Sequence, residues 1–180
     1  GDKLPSSEKL LEKLTKIPGM TSITYNINKE KTNVIMGSKV CPLWGQTYIT
    51  DYIGNVKYQI SPLSFYQVNP VQTELLYEKA IHEAHLTGKE RIIDAYCGTG
   101  TIGIIAAKNA GEVIGVELNR DAIRDAVTNA KRNDIRNIRF YNDDAGKFMV
   151  EMAQKGEKAD VVIMDPPRTG SDEAFLSSVV

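Results

Sequence analysis

Acidic residues follow the apolar runs in the second half of the sequence, and acids at such places can hold a positively charged ligand. Asp94 is the last residue but one of the run RIIDA, Glu117 ends EVIGVE, Asp144 comes shortly after NIRFY, and Asp165 follows ADVVIM. If these runs are parallel strands, their carboxyl ends meet at one edge of a sheet, where such sheets bind ligands. Each acid alone could instead be a helix N-cap or a solvated loop residue. The series as a whole favours a site for a cationic ligand.

A glycine-rich loop follows the first of these runs. The stretch DAYCGTGTIG contains GxGxxG at Gly98, Gly100 and Gly103, directly after a predicted strand. By itself this motif predicts a nicotinamide dinucleotide whose pyrophosphate lies at a helix N-terminus. Asp94 before the loop would repel a diphosphate, whereas it would attract the ammonium and sulfonium groups of S-adenosylmethionine. We therefore expect S-adenosylmethionine, with a non-catalytic NAD-binding module as the alternative.

Two further acids suit the adenosine part of such a cofactor. Glu117 at a strand end can accept hydrogen bonds from both ribose hydroxyls, and Asp144 can accept one from the adenine amino group. Both assignments are expectations, because a helix N-cap explains an isolated acid equally well.

The stretch VVIMDPPRTG, residues 161 to 170, ends an apolar run on an acid and two prolines. Asp-Pro-Pro is similar to the motif with which amino-methyltransferases hold an exocyclic nitrogen, but in those enzymes an aromatic residue follows and stacks on the base. Arg168 occupies that place here, so methylation of nitrogen loses its platform, although a nitrogen-directed nucleic-acid methyltransferase stays an alternative. A rigid loop start would explain the prolines but neither Asp165 nor Arg168.

The elements that must position these residues alternate between strand and helix after Pro70. Apolar residues at helical spacing predict buried helix faces, and four short apolar runs between them predict strands. Strands that alternate with helices imply an α/β fold with a parallel, doubly wound sheet. One predicted helix has Leu75, Leu76, Ala80 and Ile81 along one face, a second has a buried stripe of Ile123, Ala126, Val127 and Ala130, and a third runs through Phe148, Met149 and Met152.

Residues 1–69 have a different pattern, which predicts a small α+β piece in front of a binding core at residues 70–180. A short helical pattern ends at Pro18-Gly19, and the runs SITYNIN, QTYITDYI and VKYQI then predict strands. Gly54-Asn55 between the last two runs predicts a hairpin.

Composition excludes several classes. The 180 residues are 42% hydrophobic and 25% charged, as in ordinary globular proteins, and no apolar run reaches the roughly 18 residues of a membrane span. The N-terminal stretch has no secretory signal pattern, so a cytoplasmic location is expected. Cys41 and Cys97 have neither a metal-ligand nor a disulfide spacing, so no metal is expected. The net charge of −1 gives no compositional argument for nucleic-acid binding.

Taken together, SFYQVN (Ser64 to Asn69), DAYCGTG, GVE and DPPRTG resemble, in this order and at these spacings, the RNA uracil-C5 methyltransferase family, which makes 5-methyluridine in ribosomal or transfer RNA. The resemblance covers nearly the whole chain and implies a class I S-adenosylmethionine-dependent (Rossmann-like) core and an RNA partner. The expected cofactor-binding residues are Gln67, Asp94, Tyr96, Gly98, Gly100, Thr101, Glu117, Asp144 and Asp165. The expected substrate-binding residues are Phe65, Gln67, Asp165 and Arg168, with Phe65 stacking near a flipped base.

The same resemblance implies that the reacting residues lie beyond Val180. Family members add a cysteine thiolate to uracil C6, and a base later removes the C5 proton. That cysteine lies on the strand after DPPR and the base further on, so we expect no catalytic residue in this chain. Cys97 should pack beneath the cofactor, and Cys41 should be an ordinary thiol. An internal fragment of this kind would bind cofactor without methylating RNA, while its full-length parent would methylate 23S ribosomal RNA. Its open sheet edge would favour oligomers.

Overall fold

The computed structural model describes residues 4–29, 31 and 35–179 of the chain. None of the helices among these residues is long and apolar enough to span a bilayer. In chain order the elements are α1 (Ser7–Leu14), β1 (Ser22–Ile27), β2 (Lys39–Gly45), β3 (Ile49–Ile53), β4 (Val56–Ile60), α2 (Pro70–Glu83), β5 (Arg91–Ala95), α3 (Thr101–Ala107), β6 (Glu112–Glu117), α4 (Arg120–Arg132), β7 (Ile138–Asn142), α5 (Ala145–Gln154), β8 (Val161–Met164) and α6 (Glu173–Val179).

The central sheet is parallel, with the strand order β7-β6-β5-β8. Helices cover both faces, as the alternation along β5 shows. Ile93 packs with Met149 of α5 and Phe175 of α6 on one face, and Ile92 packs with Ala106 of α3 on the other. Such double cover removes both faces of a parallel sheet from water. The predicted doubly wound α/β fold is confirmed.

The apolar face predicted for α2 is partly wrong: Ala80 and Ile81 are half-buried, but the two leucines are not buried. Leu75 and Leu76 are 55% and 61% exposed, whereas Thr73 and Tyr77 are buried. The reason is polar: the Tyr77 hydroxyl lies 3.0 Å from Thr101 Oγ1, and the Thr73 hydroxyl donates to the Asn69 carbonyl at 2.7 Å. Because these hydrogen bonds satisfy the buried hydroxyls, the polar residues can be buried while Leu75 and Leu76 stay largely exposed, Leu76 at the cavity described below.

The predicted stripe of α4 is partly wrong. Ala126 and Ala130 are buried as expected, and Ile123 and Val127 are only half-buried. Polar side chains one turn apart lie against β4 instead: Asp125 and Asn129 are buried, and Asn133, the C-cap, is half-buried. Asp125, Asn129 and Asn133, which we call the polar ladder, bond the chain at alternate residues of β4 and just after it. The pairs are Asn133 with Lys57, Asn129 with Gln59, and Asp125 with Ser61.

The geometry of helix and strand explains why three pairs fit at once. Four helical residues rise about 6.0 Å, and two strand residues rise about 6.6 Å. Successive ladder side chains therefore meet successive strand residues of the same pleat. Asn129 shows the pattern: its Oδ1 accepts from the Gln59 N–H at 2.6 Å, and its Nδ2 donates to the Gln59 carbonyl at 3.1 Å.

The N-terminal segment contributes two hairpin-like pairs. β3 and β4 pair antiparallel, with Ile53 opposite Val56, so the predicted hairpin at Gly54-Asn55 is confirmed. β1 pairs with β2, a strand that the sequence pattern did not predict because Pro42 interrupts it. One apolar cluster joins Tyr58 of β4 to Tyr77 and Ile104 of the core. The division at residue 70 stays a prediction, and packing crosses it.

Gly115 in the middle of β6 is expected not to tolerate a side chain. A Cβ there would lie 2.6 Å from Cδ1 of Phe140 and 3.1 Å from Sγ of Cys97. Gly115→Ala should therefore lower the free energy of unfolding by about 1–3 kcal/mol, as measured by urea denaturation. Phe140→Leu in the same background should recover part of the loss, because it removes the crowded ring. Unchanged stability of Gly115→Ala would disprove the steric explanation.

β8 forms one edge of the described sheet, and its residues are half-buried or exposed. Unpaired strand edges promote association between chains. We expect concentrated protein to form dimers or larger species in size-exclusion chromatography with light scattering. A stable monomer at high concentration would count against this expectation.

Candidate functional site

A cavity of about 190 Å³ lies at the carboxyl ends of β5 and β8. Seven of the predicted site residues line it: Phe65, Gln67, Asp94, Tyr96, Gly98, Thr101 and Asp165. Four do not: Gly100, Glu117, Asp144 and Arg168. The structure thus brings together most of the site that the sequence indicated, from segments on both sides of α2.

The loop after β5 folds through backbone conformations that side chains rarely adopt. Tyr96, Gly98 and Gly100 have φ angles of 62°, 54° and 78°. Tyr96 is held there by its hydroxyl, which donates to Ser171 Oγ at 3.0 Å, and by its ring, which packs on Phe175. Because a strained non-glycine residue persists only where its surroundings hold it, this tyrosine marks a candidate binding site.

Gly100 has a structural reason of its own. It is the N-cap of α3, and a Cβ there would lie 3.0 Å from the Phe140 ring. Packing and backbone conformation therefore explain this glycine without a cofactor contact, and its predicted cofactor role stays untested.

Asp94 is buried, with 2% exposure, on the wall of the cavity. Its Oδ2 accepts a hydrogen bond from the Gly103 N–H at 2.9 Å, in the first turn of α3. A diphosphate would need such helix N-terminal donors, and here a carboxylate already uses one of them. Burial raises the pKa of Asp94 from its ordinary value of 3.8 to about 7; the Gly103 hydrogen bond lowers it, and Asp165 and Glu117 raise it further.

This raised pKa predicts an unusual dependence of stability on pH. The folded protein binds the Asp94 proton more tightly than the unfolded chain does, so the contribution of this residue is full below about pH 4 and is lost as the pH rises through about 7. Asp94→Asn should therefore gain stability relative to the wild type between pH 5 and pH 8, on the order of 2 kcal/mol. Urea denaturation at several pH values measures this. Parallel profiles for the two proteins would contradict it.

Glu117 lies beside the cavity at the end of β6. Its Oε2 accepts from the Gly98 N–H at 3.1 Å, and its Oε1 accepts from the Asn119 N–H at 2.8 Å. These bonds orient the carboxylate between the glycine loop and the start of α4. Each carboxylate oxygen has further acceptor capacity, so Glu117 can also take two hydroxyl protons of a ligand.

The segment before α2 forms the opposite wall. Phe65 is 72% exposed at the cavity, and Gln67 Nε2 lies 3.5 Å from Asp165 Oδ2. The Tyr66 hydroxyl is buried without a hydrogen-bond partner among the described residues, as is Thr99 Oγ1. Burial raises the pKa of Tyr66, so its phenol is neutral. Buried hydroxyls without partners next to a cavity are ready to bond a ligand.

Two predicted residues lie elsewhere. Asp144 is the N-cap of α5, and its Oδ1 accepts from the Lys147 N–H at 2.9 Å. Arg168 is exposed in a turn closed by the Gly170 N–H, which donates to the Pro167 carbonyl at 2.8 Å. The structure thus gives Asp144 the capping role, and the ligand contacts predicted for both residues stay predictions.

Cys97 is not activated in this structure. Burial, Asp94 and Glu117 raise the pKa of Cys97 well above its ordinary value, and Cys41 is half-buried in β2. Because only a thiolate is strongly nucleophilic, Cys97 is an inert packing residue. No cluster of three or more potential metal ligands occurs among residues 4–29, 31 and 35–179.

Sequence reasoning missed several lining residues: Tyr66, Leu76, Tyr77, Ala80, Thr99 and Met164. The sequence did contain a signal for Tyr77: Asn69, Thr73 and Tyr77 are spaced by four residues, so they lie on one face of a helix that begins at an Asn69 cap. The lining as a whole contains carboxylates, phenols and apolar groups, and no basic side chain is among its described residues. Its chemistry fits a cationic, partly apolar ligand such as S-adenosylmethionine better than a diphosphate.

Comparison with known proteins agrees with this site. Residues 86–175, half of the chain, match a family described as methyltransferase domain. An uncharacterized RNA methyltransferase of Halalkalibacterium halodurans is 48% identical over 181 residues, which span 100% of this chain and 40% of that protein. One of Clostridium tetani is 47% identical over 178 residues, 98% of this chain and 39% of that protein. This chain therefore spans about two fifths of these relatives.

Among solved structures, the Pyrococcus abyssi tRNA (uracil-54, C5)-methyltransferase in complex with S-adenosyl-L-homocysteine superimposes with a TM-score of 0.70 and 31% identity, over 88% of this chain and 38% of that one. The resemblance inferred from the motifs is confirmed, and so is the predicted Rossmann-like fold class. The predicted cofactor, S-adenosylmethionine, agrees with the family match and with the ligand of the Pyrococcus structure. By the match of half its length, the chain belongs to the methyltransferase domain family.

Proposed function

We propose that the cavity binds S-adenosylmethionine and that the protein transfers a methyl group to C5 of a uridine in RNA. The observation that carries the proposal is the cavity itself, walled by Asp94 and Asp165 and without a basic side chain among its described lining residues. When bound, the cofactor supplies a methyl group on a positively charged sulfur. An acidic wall attracts that charge.

The chain's own residues have distinct roles in this proposal. Glu117, already oriented by two backbone N–H groups, accepts hydrogen bonds from the ribose hydroxyls. Asp144 accepts a hydrogen bond from the adenine amino group. Tyr96 and Thr101 enclose the ligand, and Gln67 holds the methionine end together with Asp165. A site of this kind excludes water on the apolar side formed by the α2 residues.

Uracil as acceptor is supported by two observations. The Pyrococcus protein that superimposes on this chain acts on uracil C5 in tRNA. Phe65 presents a ring that is 72% exposed beside Gln67 and Asp165, where an unstacked base could pack against it. Arg168, in place of an aromatic residue after Asp-Pro-Pro, contacts a phosphate or orders the loop. The proposed target is 23S ribosomal RNA, with transfer RNA as the alternative.

The nucleophilic cysteine is proposed to lie outside residues 1–180. Cys97 cannot supply a thiolate, because burial and two acids raise its pKa. Residues 1–180 alone are therefore expected to bind cofactor without methylating RNA.

Calorimetry on this chain tests the cofactor: S-adenosylhomocysteine should bind, and NAD should not. Heat from NAD alone would favour a dinucleotide-binding module. For the acceptor, the full-length protein should be incubated with S-adenosylmethionine and unmodified RNA, and the nucleosides analysed by mass spectrometry. Formation of 5-methyluridine is expected; a base methylated on nitrogen would show that the uracil proposal is wrong.

A further inference from the structure

Asp94 is a buried carboxylate at the cavity, and its burial gives it a property that ligand binding alone does not require. It lies on the cavity wall with 2% exposure, between β6 and β8 at the end of β5. A buried carboxylate stays ionised only when donors or a cation compensate for its lost hydration. Among the described residues the Gly103 N–H donates to it at 2.9 Å, and one backbone donor compensates a buried charge only in part.

The surrounding titratable groups add to this deficit. Asp94 faces Asp165 after β8 and Glu117 at the end of β6, and both raise its pKa. Tyr58 of β4, Tyr77 of α2 and Cys97 of the loop are also coupled to it, and burial raises the pKa of each of these three groups. Helix α3 contributes its N-terminal backbone. Because their pKa values are raised, these three groups are neutral near pH 7, and the side-chain charges that raise the pKa of Asp94 are those of Asp165 and Glu117.

We propose that Asp94 is the residue by which the site distinguishes the methyl donor, which has a sulfonium charge, from its product, which has none: Asp94 is ionised while the sulfonium lies in the cavity and protonated when that charge is lost. This inference rests on the proposed function. S-adenosylmethionine and S-adenosylhomocysteine carry the same ammonium and carboxylate, and only the donor has a sulfonium charge. The two ligands therefore isolate the effect of one positive charge.

The consequence is a difference in affinity that follows methyl transfer. Once the sulfonium charge is gone, an ionised Asp94 is again a buried anion beside two other acids, so it takes up a proton from solvent. The protonated side chain no longer attracts the ligand by its charge. Product is then held less tightly than donor, which favours exchange of one for the other.

Calorimetry in two buffers of different ionisation enthalpy tests this by counting protons. Binding of S-adenosylmethionine should release about half a proton at pH 7, more at pH 6 and almost none at pH 8.5, because the pKa of free Asp94 is about 7. S-adenosylhomocysteine should release fewer. Asp94→Asn should abolish the release and reduce the preference for donor over product on the order of tenfold.

The matched control is Asp160→Asn, which alters a carboxylate at the opposite end of β8 that accepts from the Arg91 N–H. It should keep the wild-type proton count. If Asp94→Asn does not fold, proton counts on the wild type and the 13C shift of the Asp94 carboxyl, with and without donor, decide the question. Equal proton release by both ligands would overturn the inference and leave the proposed function intact. Failure of both ligands to bind would overturn the proposed function as well.

Discussion

Replacement of Asn129 by leucine is expected to lower the free energy of unfolding by about 3–5 kcal/mol. Asn129 is fully buried and bonds both backbone groups of Gln59, and its Nδ2 also donates to the Thr99 carbonyl at 3.2 Å. Leucine would leave these buried groups without partners, and each orphaned group costs about 1–3 kcal/mol. The higher helix propensity of leucine offsets only a few tenths of a kcal/mol. Urea denaturation with a constant m-value measures the loss.

The neighbouring position provides the control. Thr128→Leu makes the same new side chain one residue earlier, where the threonine hydroxyl donates within the helix to the Arg124 carbonyl. Its stability should stay within about 0.5 kcal/mol of the wild type. Equal losses in the two variants would show that bulk, rather than the hydrogen bonds of the polar ladder, decides the outcome.

Glu117→Ala is expected to weaken binding of S-adenosylhomocysteine by about 30- to 100-fold. A ligand hydroxyl that bonds a carboxylate gains about 1.5–3 kcal/mol, and Glu117 has two oxygens oriented by backbone N–H groups. Glu117→Gln keeps one acceptor and should show an intermediate loss. Calorimetry measures all three affinities.

Glu112 lies at the other end of the same strand and ion-pairs with Arg91 at 3.2 Å, so Glu112→Ala is the matched control. It should bind the ligand with wild-type affinity. Affinity that is retained in Glu117→Ala would show that the ribose does not lie at this carboxylate. A loss shared by both variants would point to damage to β6 instead.

The sequence alone predicted the features that follow from local patterns and from their order along the chain. Alternating strands and helices, the glycine loop and the strand-end acids gave the α/β fold and seven lining residues. It did not predict features set by tertiary hydrogen bonds. An asparagine such as Asn129 on a helix is normally expected to face solvent, and only its hydrogen bond to β4 explains its burial. Leu75 is expected to be buried, and only the Tyr77–Thr101 hydrogen bond explains why the polar face of α2 is buried instead. The position of Asp94 was predicted, but its protonation depends on burial.

The polar ladder holds β4 in one position, so the number of residues between β4 and α2 determines where Phe65 and Gln67 lie. One helical turn and two strand residues have nearly the same length, so the three hydrogen-bonded pairs of the polar ladder fix the register of β4 against α4. Deleting two residues between Ser61 and Phe65 would leave the three ladder pairs in place and would move the Phe65 ring away from the cavity by roughly the length of two strand residues, about 6.6 Å. Insertions and deletions should therefore be excluded from this short stretch.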